Sequence, residues 1–272
     1  MAITGGYIHV NGIKTFYETN NGPHNPKGTI IALHTAGRET RQYHGMMEYW
    51  ADQYTVIAFD MPAHGKTWPL PGNVGINNYK DYGKFTWDFI QAMGISDPVV
   101  VGCSLTGNIT YYIAASYPVK AAIICQGSPY IKAMGTSYGA AVNLLDNPYV
   151  SCQHSHWDFS DSLIGTKCSK EIHDFIMWGV CQECGRAKQA DLSIYNNYDV
   201  REELRNITCP TLLIRGEDDW NVPEHYYTTA LEYLTNARKL DFKKIPGYGH
   251  FIVVEAPELV CDLINEFLPE ES

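Results

Sequence analysis

Long apolar runs are missing from this chain: no stretch approaches the ~18 consecutive apolar residues a membrane-crossing helix requires. The first residues, Met1-Ala2-Ile3-Thr4-Gly5-Gly6, carry neither a basic segment nor an apolar one, so a secretory leader is not expected. Lys and Arg never cluster, and the net charge of -10 disfavours nucleic acid or an anionic membrane as partner. Internal repeats and low-complexity segments are also lacking, which excludes solenoids and disordered linkers. Metal-binding spacing is scarce. One CxxC, Cys181-Gln182-Glu183-Cys184, is separated by ~25 residues from Cys152, His154 and His156, and that gap fits no common zinc spacing. Packing is expected there instead, with no metal and no cofactor. The eight cysteines belong to a chain of 272 residues, far too long to depend on a disulfide scaffold, so reduced thiols are the expectation. These absences leave a cytoplasmic protein, monomer or homodimer, acting on a small molecule. Hydrophobic residues at 45% supply a sizeable core.

What is present has a regular order. Tyr7 to Glu18 alternates around Asn11-Gly12, a pair suited to the positive φ angles of a two-residue hairpin turn. Short apolar runs follow at Thr29–Leu33, Thr55–Phe59, Pro98–Val101, Ala121–Cys125 and Thr211–Ile214. Runs apolar on both faces suit central strands of a parallel sheet covered by helices. The segments between them, such as Asn78 to Met93 and Leu105 to Tyr117, read as helices. Strand alternating with helix predicts an α/β doubly wound sheet with an antiparallel hairpin at its start. The rhythm breaks over 129–205, which predicts a mostly helical insertion between core segments 1–128 and 206–272.

Three segments carry chemistry. Gly102-Cys103-Ser104-Leu105-Thr106-Gly107 directly follows Val99-Val100-Val101 and opens a helix. A serine on such a sharp strand-to-helix turn is held strained with its Oγ exposed, and small neighbours let strand and helix approach. The Leu105 N–H, at the helix start, is placed to stabilise an oxyanion. Leu212-Leu213-Ile214 leads into Glu217, Asp218 and Asp219, carboxylates just beyond a strand end. Ile245-Pro246-Gly247-Tyr248-Gly249-His250 puts a histidine on another such loop. A carboxylate there can hold the tautomer of His250 while the imidazole serves Ser104 as base.

With Leu33-His34-Thr35-Ala36-Gly37 and Phe59-Asp60-Met61-Pro62-Ala63-His64-Gly65, the set resembles the α/β-hydrolase fold family over nearly the whole chain. The resemblance implies an eight-stranded, mostly parallel sheet with a helical cap at 129–205. It implies Ser104, Asp219 and His250 as catalytic triad, Asp219 standing four residues before Pro223, with Asp218 capping the loop. It adds Ala36 to Leu105 as oxyanion-hole donor. Two departures stand out. Thr106 occupies a position usually small, where its branched side chain is expected to crowd the helix start. Ala63 replaces a usual glycine.

Arg38 and Arg41 are candidates for clamping a substrate carboxylate, against the plainer reading of surface ion pairs with Glu39. Cys103 is expected to pack away from the pocket. Tyr130, Tyr138, Tyr149, Tyr195 and Tyr198 would line or pack the cap. The expected function is a serine hydrolase of a small or medium carboxylic ester or lactone. Carbon–carbon hydrolysis of a diketone-type acid on the same triad is one alternative, and a small-ligand receptor with vestigial hydrolase activity is another.

Overall fold

The computed structural model describes residues 2–22, 27–131 and 153–268, with side chains from 157 onward in the last stretch. Eight strands form one sheet: β1 (Thr4–Val10), β2 (Ile13–Thr19), β3 (Thr29–Leu33), β4 (Thr55–Phe59), β5 (Val99–Cys103), β6 (Ala121–Cys125), β7 (Thr211–Gly216) and β8 (Leu240–Ile245). Their order is β1-β2-β4-β3-β5-β6-β7-β8. Asn11 and Gly12 turn the β1–β2 hairpin with φ of 51° and 82°, as their sequence requires. That hairpin joins the sheet through β2, antiparallel to β4. All pairings from β4 to β8 are parallel.

Helices α1 (His44–Tyr49), α2 (Tyr79–Ala92), α3 (Leu105–Ser116), α7 (Glu224–Tyr233), α8 (Ile252–Glu255) and α9 (Pro257–Phe267) flank the sheet. Among the described residues between β6 and β7 lie three more, α4 (Gln153–Asp161), α5 (Lys170–Cys181) and α6 (Gly185–Ile194). Alternate residues of the buried strands feed two cores. Leu33, Phe59 and Val100 pack with Phe89 of α2 and Ile109 of α3. Ile30, Val56 and Val101 pack with Met46 of α1 and Ile264 of α9. Each such side chain contributes about 1.5–3 kcal/mol of burial free energy. Because β3 crosses to β4 on one side and the chain returns to β5 on the other, the connections part at the C-terminal ends of β3 and β5. That divergence opens the crevice in which open α/β sheets place their sites.

Among the described residues, no helix is long and apolar enough to cross a membrane.

Candidate active site

β5 delivers Ser104 to the start of α3 in a backbone conformation of φ 61° and ψ −123°. A non-glycine residue held there costs about 1–3 kcal/mol and persists only where its surroundings enforce it. Here they do: Ser104 N–H donates to the Cys125 carbonyl at 3.0 Å, and its own carbonyl accepts from Asn108 N–H at 3.0 Å. Gly107 lets α3 lie against β6, since a Cβ there would stand 2.7 Å from the Cys125 carbonyl. Thr106 does not crowd the turn as expected. It is fully buried, its hydroxyl accepts from Cys103 N–H at 3.0 Å, and it donates to the Leu33 carbonyl at 2.7 Å. The branched side chain thus ties the turn to the end of β3.

His250 Nε2 lies 2.6 Å from Ser104 Oγ, and its Nδ1 lies 2.6 Å from Asp219 Oδ2. Asp219 Oδ1 accepts from the N–H groups of Asn221 and Val222 at 2.8 and 3.3 Å. All three side chains are buried, so these contacts operate with little screening by water. Two residues that sequence reading did not single out hold the arrangement. Gln126, at the end of β6, donates through Nε2 to the carbonyls of Gly249 and Gly216 at 2.7 and 3.2 Å. Its Oε1 accepts from Tyr227 Oη at 2.9 Å. The buried Glu255 accepts from the N–H groups of Gly249, Phe251 and Gly165 at 2.9, 3.0 and 2.9 Å. Burial raises its pKa although these three N–H groups favour the carboxylate. The available signal was an acid at the end of the apolar run Phe251 to Val254.

The loop after β3 is held on several sides. Thr35 N–H donates to Gln42 Oε1 at 2.9 Å. His34 Nε2 accepts from Met61 N–H at 3.2 Å, which places the ring proton on Nδ1, donating to the Thr35 carbonyl at 2.9 Å. Burial, aided by nearby His64, lowers the His34 pKa to about 3, so the ring is neutral. Arg38 N–H donates to the same carbonyl at 3.0 Å. Gly37 N–H donates to Asp191 Oδ2 at 2.7 Å, and the Ala36 carbonyl accepts from Lys188 Nζ at 3.1 Å. Ala36 N–H and Leu105 N–H, the latter on the first residue of α3, have no hydrogen-bond partner among the described residues. Ala63 adopts φ 71°, the left-handed conformation for which glycine is better suited.

A cavity of about 240 Å³ opens above Ser104 and His250. Asn108, Ile131, Tyr195, Val222 and Tyr226 line it, with Trp220 among its wall residues, and no Asp, Glu, Lys or Arg does so among the described residues. Arg38 and Arg41 lie elsewhere. Arg38 borders a separate cavity of about 30 Å³ beneath α5, with its Nε 3.4 Å from Glu183. Arg41 pairs with Glu39 at 2.7 Å and stands over the Trp178 ring. Asp218 accepts from Thr166 N–H and Oγ1 at 2.8 and 2.7 Å, a loop cap. Cys103 Sγ is buried against the His250 carbonyl, and burial raises its pKa well above the usual thiol value. Tyr198 is buried and donates to the Asn108 carbonyl at 2.7 Å, while Tyr130 packs on Tyr226. Tyr138, Tyr149, Cys152 and the side chains of His154 and His156 lie outside the described residues.

The chain is similar to known hydrolases over most of its length. The chain is 23% identical over 273 residues to the uncharacterized hydrolase YugF of Bacillus subtilis, covering 95% of this chain and 96% of that one. It is 25% identical over 254 residues to the putative esterase/lipase 2 of Mycoplasma pneumoniae, covering 90% and 91%. The crystal structure of the enol-lactonase from Burkholderia xenovorans LB400 superposes with a TM-score of 0.83 at 14% identity, covering 96% and 99%. The family model for the alpha/beta hydrolase family matches residues 30–263, and the chain belongs to that family.

Proposed function

We propose that this hydrolase cleaves a small or medium carboxylic ester or lactone through an acyl-enzyme on Ser104. The observation that carries the reading is the pair of 2.6 Å contacts linking Ser104, His250 and Asp219, with Ser104 at φ 61°. In this reading Ser104 Oγ attacks the carbonyl carbon while His250 Nε2 takes its proton. Asp219 orients the imidazole and stabilises its charged form. The N–H groups of Leu105 and Ala36 receive the oxyanion. His250 then protonates the departing alkoxide as the ester C–O bond breaks. A water attacks the acyl carbon with His250 as base, releasing the acid and restoring Ser104. No cofactor enters any step. The insertion between β6 and β7 acts as the cap, contributing Tyr195 to the cavity.

Among the described residues the lining is uncharged, which favours a neutral substrate over the diketone acid, whose carboxylate would need a cation that neither Arg38 nor Arg41 brings to this cavity. The test is labelling with a fluorophosphonate followed by peptide mapping, then turnover of a panel of esters, lactones and diketones. Labelling at Ser104 and multiple-turnover ester or lactone cleavage, both lost in Ser104→Ala, is the expected result. Labelling elsewhere, or none, overturns it. A single slow turnover with a ligand-dependent thermal shift would point to the receptor alternative.

A further inference from the structure

The insertion does more than cover the crevice, because α6 reaches the loop after β3. Lys188 and Asp191, one helical turn apart, hold the two polar atoms of a single peptide group. Lys188 Nζ donates to the Ala36 carbonyl at 3.1 Å, and Asp191 Oδ2 accepts from Gly37 N–H at 2.7 Å. We propose that Lys188 and Asp191 are positioning residues for the oxyanion loop, fixing the Ala36–Gly37 peptide and through it the direction of Ala36 N–H. This rests on the acyl-transfer reading above.

Ala36 Cα is the corner shared by two peptide planes. The first, carrying Ala36 N–H, is held at the Thr35 carbonyl by His34 Nδ1 and Arg38 N–H. The second is held, among the described residues, from α6 alone. Gly37 sits at φ 75°, and glycine populates both signs of φ with little penalty, so an ungripped peptide there reorients easily. The approach is also close: a Cβ on Gly37 would stand 2.8 Å from Lys188 Cδ and 3.0 Å from Glu183 Cδ, so those side chains would have to shift.

Both gripping side chains are themselves anchored. Lys188 Nζ is 3.2 Å from Glu183 Oε1. Asp191 is fully buried and accepts from His64 Nε2 at 2.9 Å, and the His64 ring packs on His34 with centroids 4.8 Å apart. Burial opposes protonation of His64, but the adjacent Asp191 carboxylate overrides it and raises its pKa. The insertion and the core therefore meet on the oxyanion loop through one continuous polar chain. Gly37 and Asp191 meet directly in this chain, and neither lines the cavity above Ser104.

The experiment compares wild type with Asp191→Ala, Asp191→Asn and Lys188→Met. It measures kcat per fluorophosphonate-titrated site, KM for p-nitrophenyl acetate, inhibition by benzeneboronic acid and Tm. Misplacing an oxyanion donor weakens the transition state and leaves ground-state binding intact. Asp191→Ala and Lys188→Met are expected to lower kcat per titrated site by about tenfold or more, with KM within about twofold. The boronate, which becomes tetrahedral on Ser104, should weaken by a similar factor. Asp191→Asn retains an oxygen for Gly37 N–H and should recover most of the loss. A merely structural role would lower Tm and the titratable fraction while leaving kcat per site unchanged, and that outcome overturns the proposal. If Asp191→Ala does not fold, Lys188→Met decides, since Lys188 lies nearer the surface. A wild-type chain that neither turns over ester nor is labelled overturns this proposal together with the acyl-transfer reading. An active wild type with unaffected variants overturns the positioning role alone.

Discussion

Glu255 holds the His250 loop by its backbone, and its replacement by Gln and by Ala separates the contributions of its two oxygens. Oε2 accepts from Gly249 and Gly165, and Oε1 from Phe251. In Glu255→Gln the amide oxygen can stand in for Oε2 and keep two bonds, but its NH2 then faces the Phe251 N–H. One buried donor is left without an acceptor, which costs about 1–3 kcal/mol. Glu255→Ala orphans all three donors. Removing a buried carboxylate returns part of that loss, and water entering the space returns more, so a net cost of about 3–5 kcal/mol is expected. Urea unfolding measures both, with a lower midpoint and an unchanged slope as the signature of lost stability. Two of the three N–H groups flank His250, so kcat should fall in the same order, more in Ala than in Gln. A Gln variant as stable as wild type, or an Ala variant less damaged than Gln, would refute the reasoning.

Thr106→Val keeps the shape of the turn but leaves Cys103 N–H without the hydroxyl it donates to, so urea unfolding should show a loss of about 1–3 kcal/mol. Gln126→Leu strips the carbonyls of Gly249 and Gly216 of a shared donor. A loss of stability of about 1–3 kcal/mol with reduced kcat is expected, and unaltered kcat would exclude Gln126 as a brace between the acid and histidine loops. Burial raises the Asp60 pKa from 3.8 to about 6. Its folded-state pKa exceeds the unfolded value, so stability present below about pH 4 is lost as pH rises towards 6, by about 3 kcal/mol. Asp60→Asn should abolish that step in a pH series of unfolding curves. His64, also raised, contributes stability that is full below its ordinary 6.5 and lost as pH climbs through its folded value. The series should therefore show a second decline above 6.5 that His64→Asn lacks.

Local patterns of residues determined much of this protein. The buried runs gave strands at Thr29–Leu33, Thr55–Phe59 and Ala121–Cys125 with the bounds seen, because a strand apolar on both faces has few other places to go. The helix read over Asn78 to Met93 spans Tyr79–Ala92, and the structure adds that Asn78 caps it, its side chain accepting from Asp81 N–H at 2.8 Å. Ser104, the acid loop and His250 stood out because each follows a strand end, and the parallel sheet brings those ends to one edge. Thr106 departs from what its shape predicts. Its branching suggested crowding, whereas its hydroxyl fills a hydrogen-bonding gap that appears only once β3 lies beside β5. Arg38 and Arg41 stand near the oxyanion loop in sequence, but the chain turns away after Gly37: Arg41 pairs with Glu39, the plainer of its two readings, and Arg38 pairs with Glu183 beneath α5. Gln126, Lys188 and Asp191 were invisible for a related reason. Each acts on backbone atoms distant in sequence, Asp191 on Gly37 across 154 positions, and a hydrogen bond to a peptide group leaves no mark on the identity of the residue that receives it. The sequence by itself determined the strands, the order of the chemistry-bearing loops and the charge of each candidate group. Only the tertiary structure decided which loops are held, by which side chains and at what distance, since those contacts exist only after distant segments have packed.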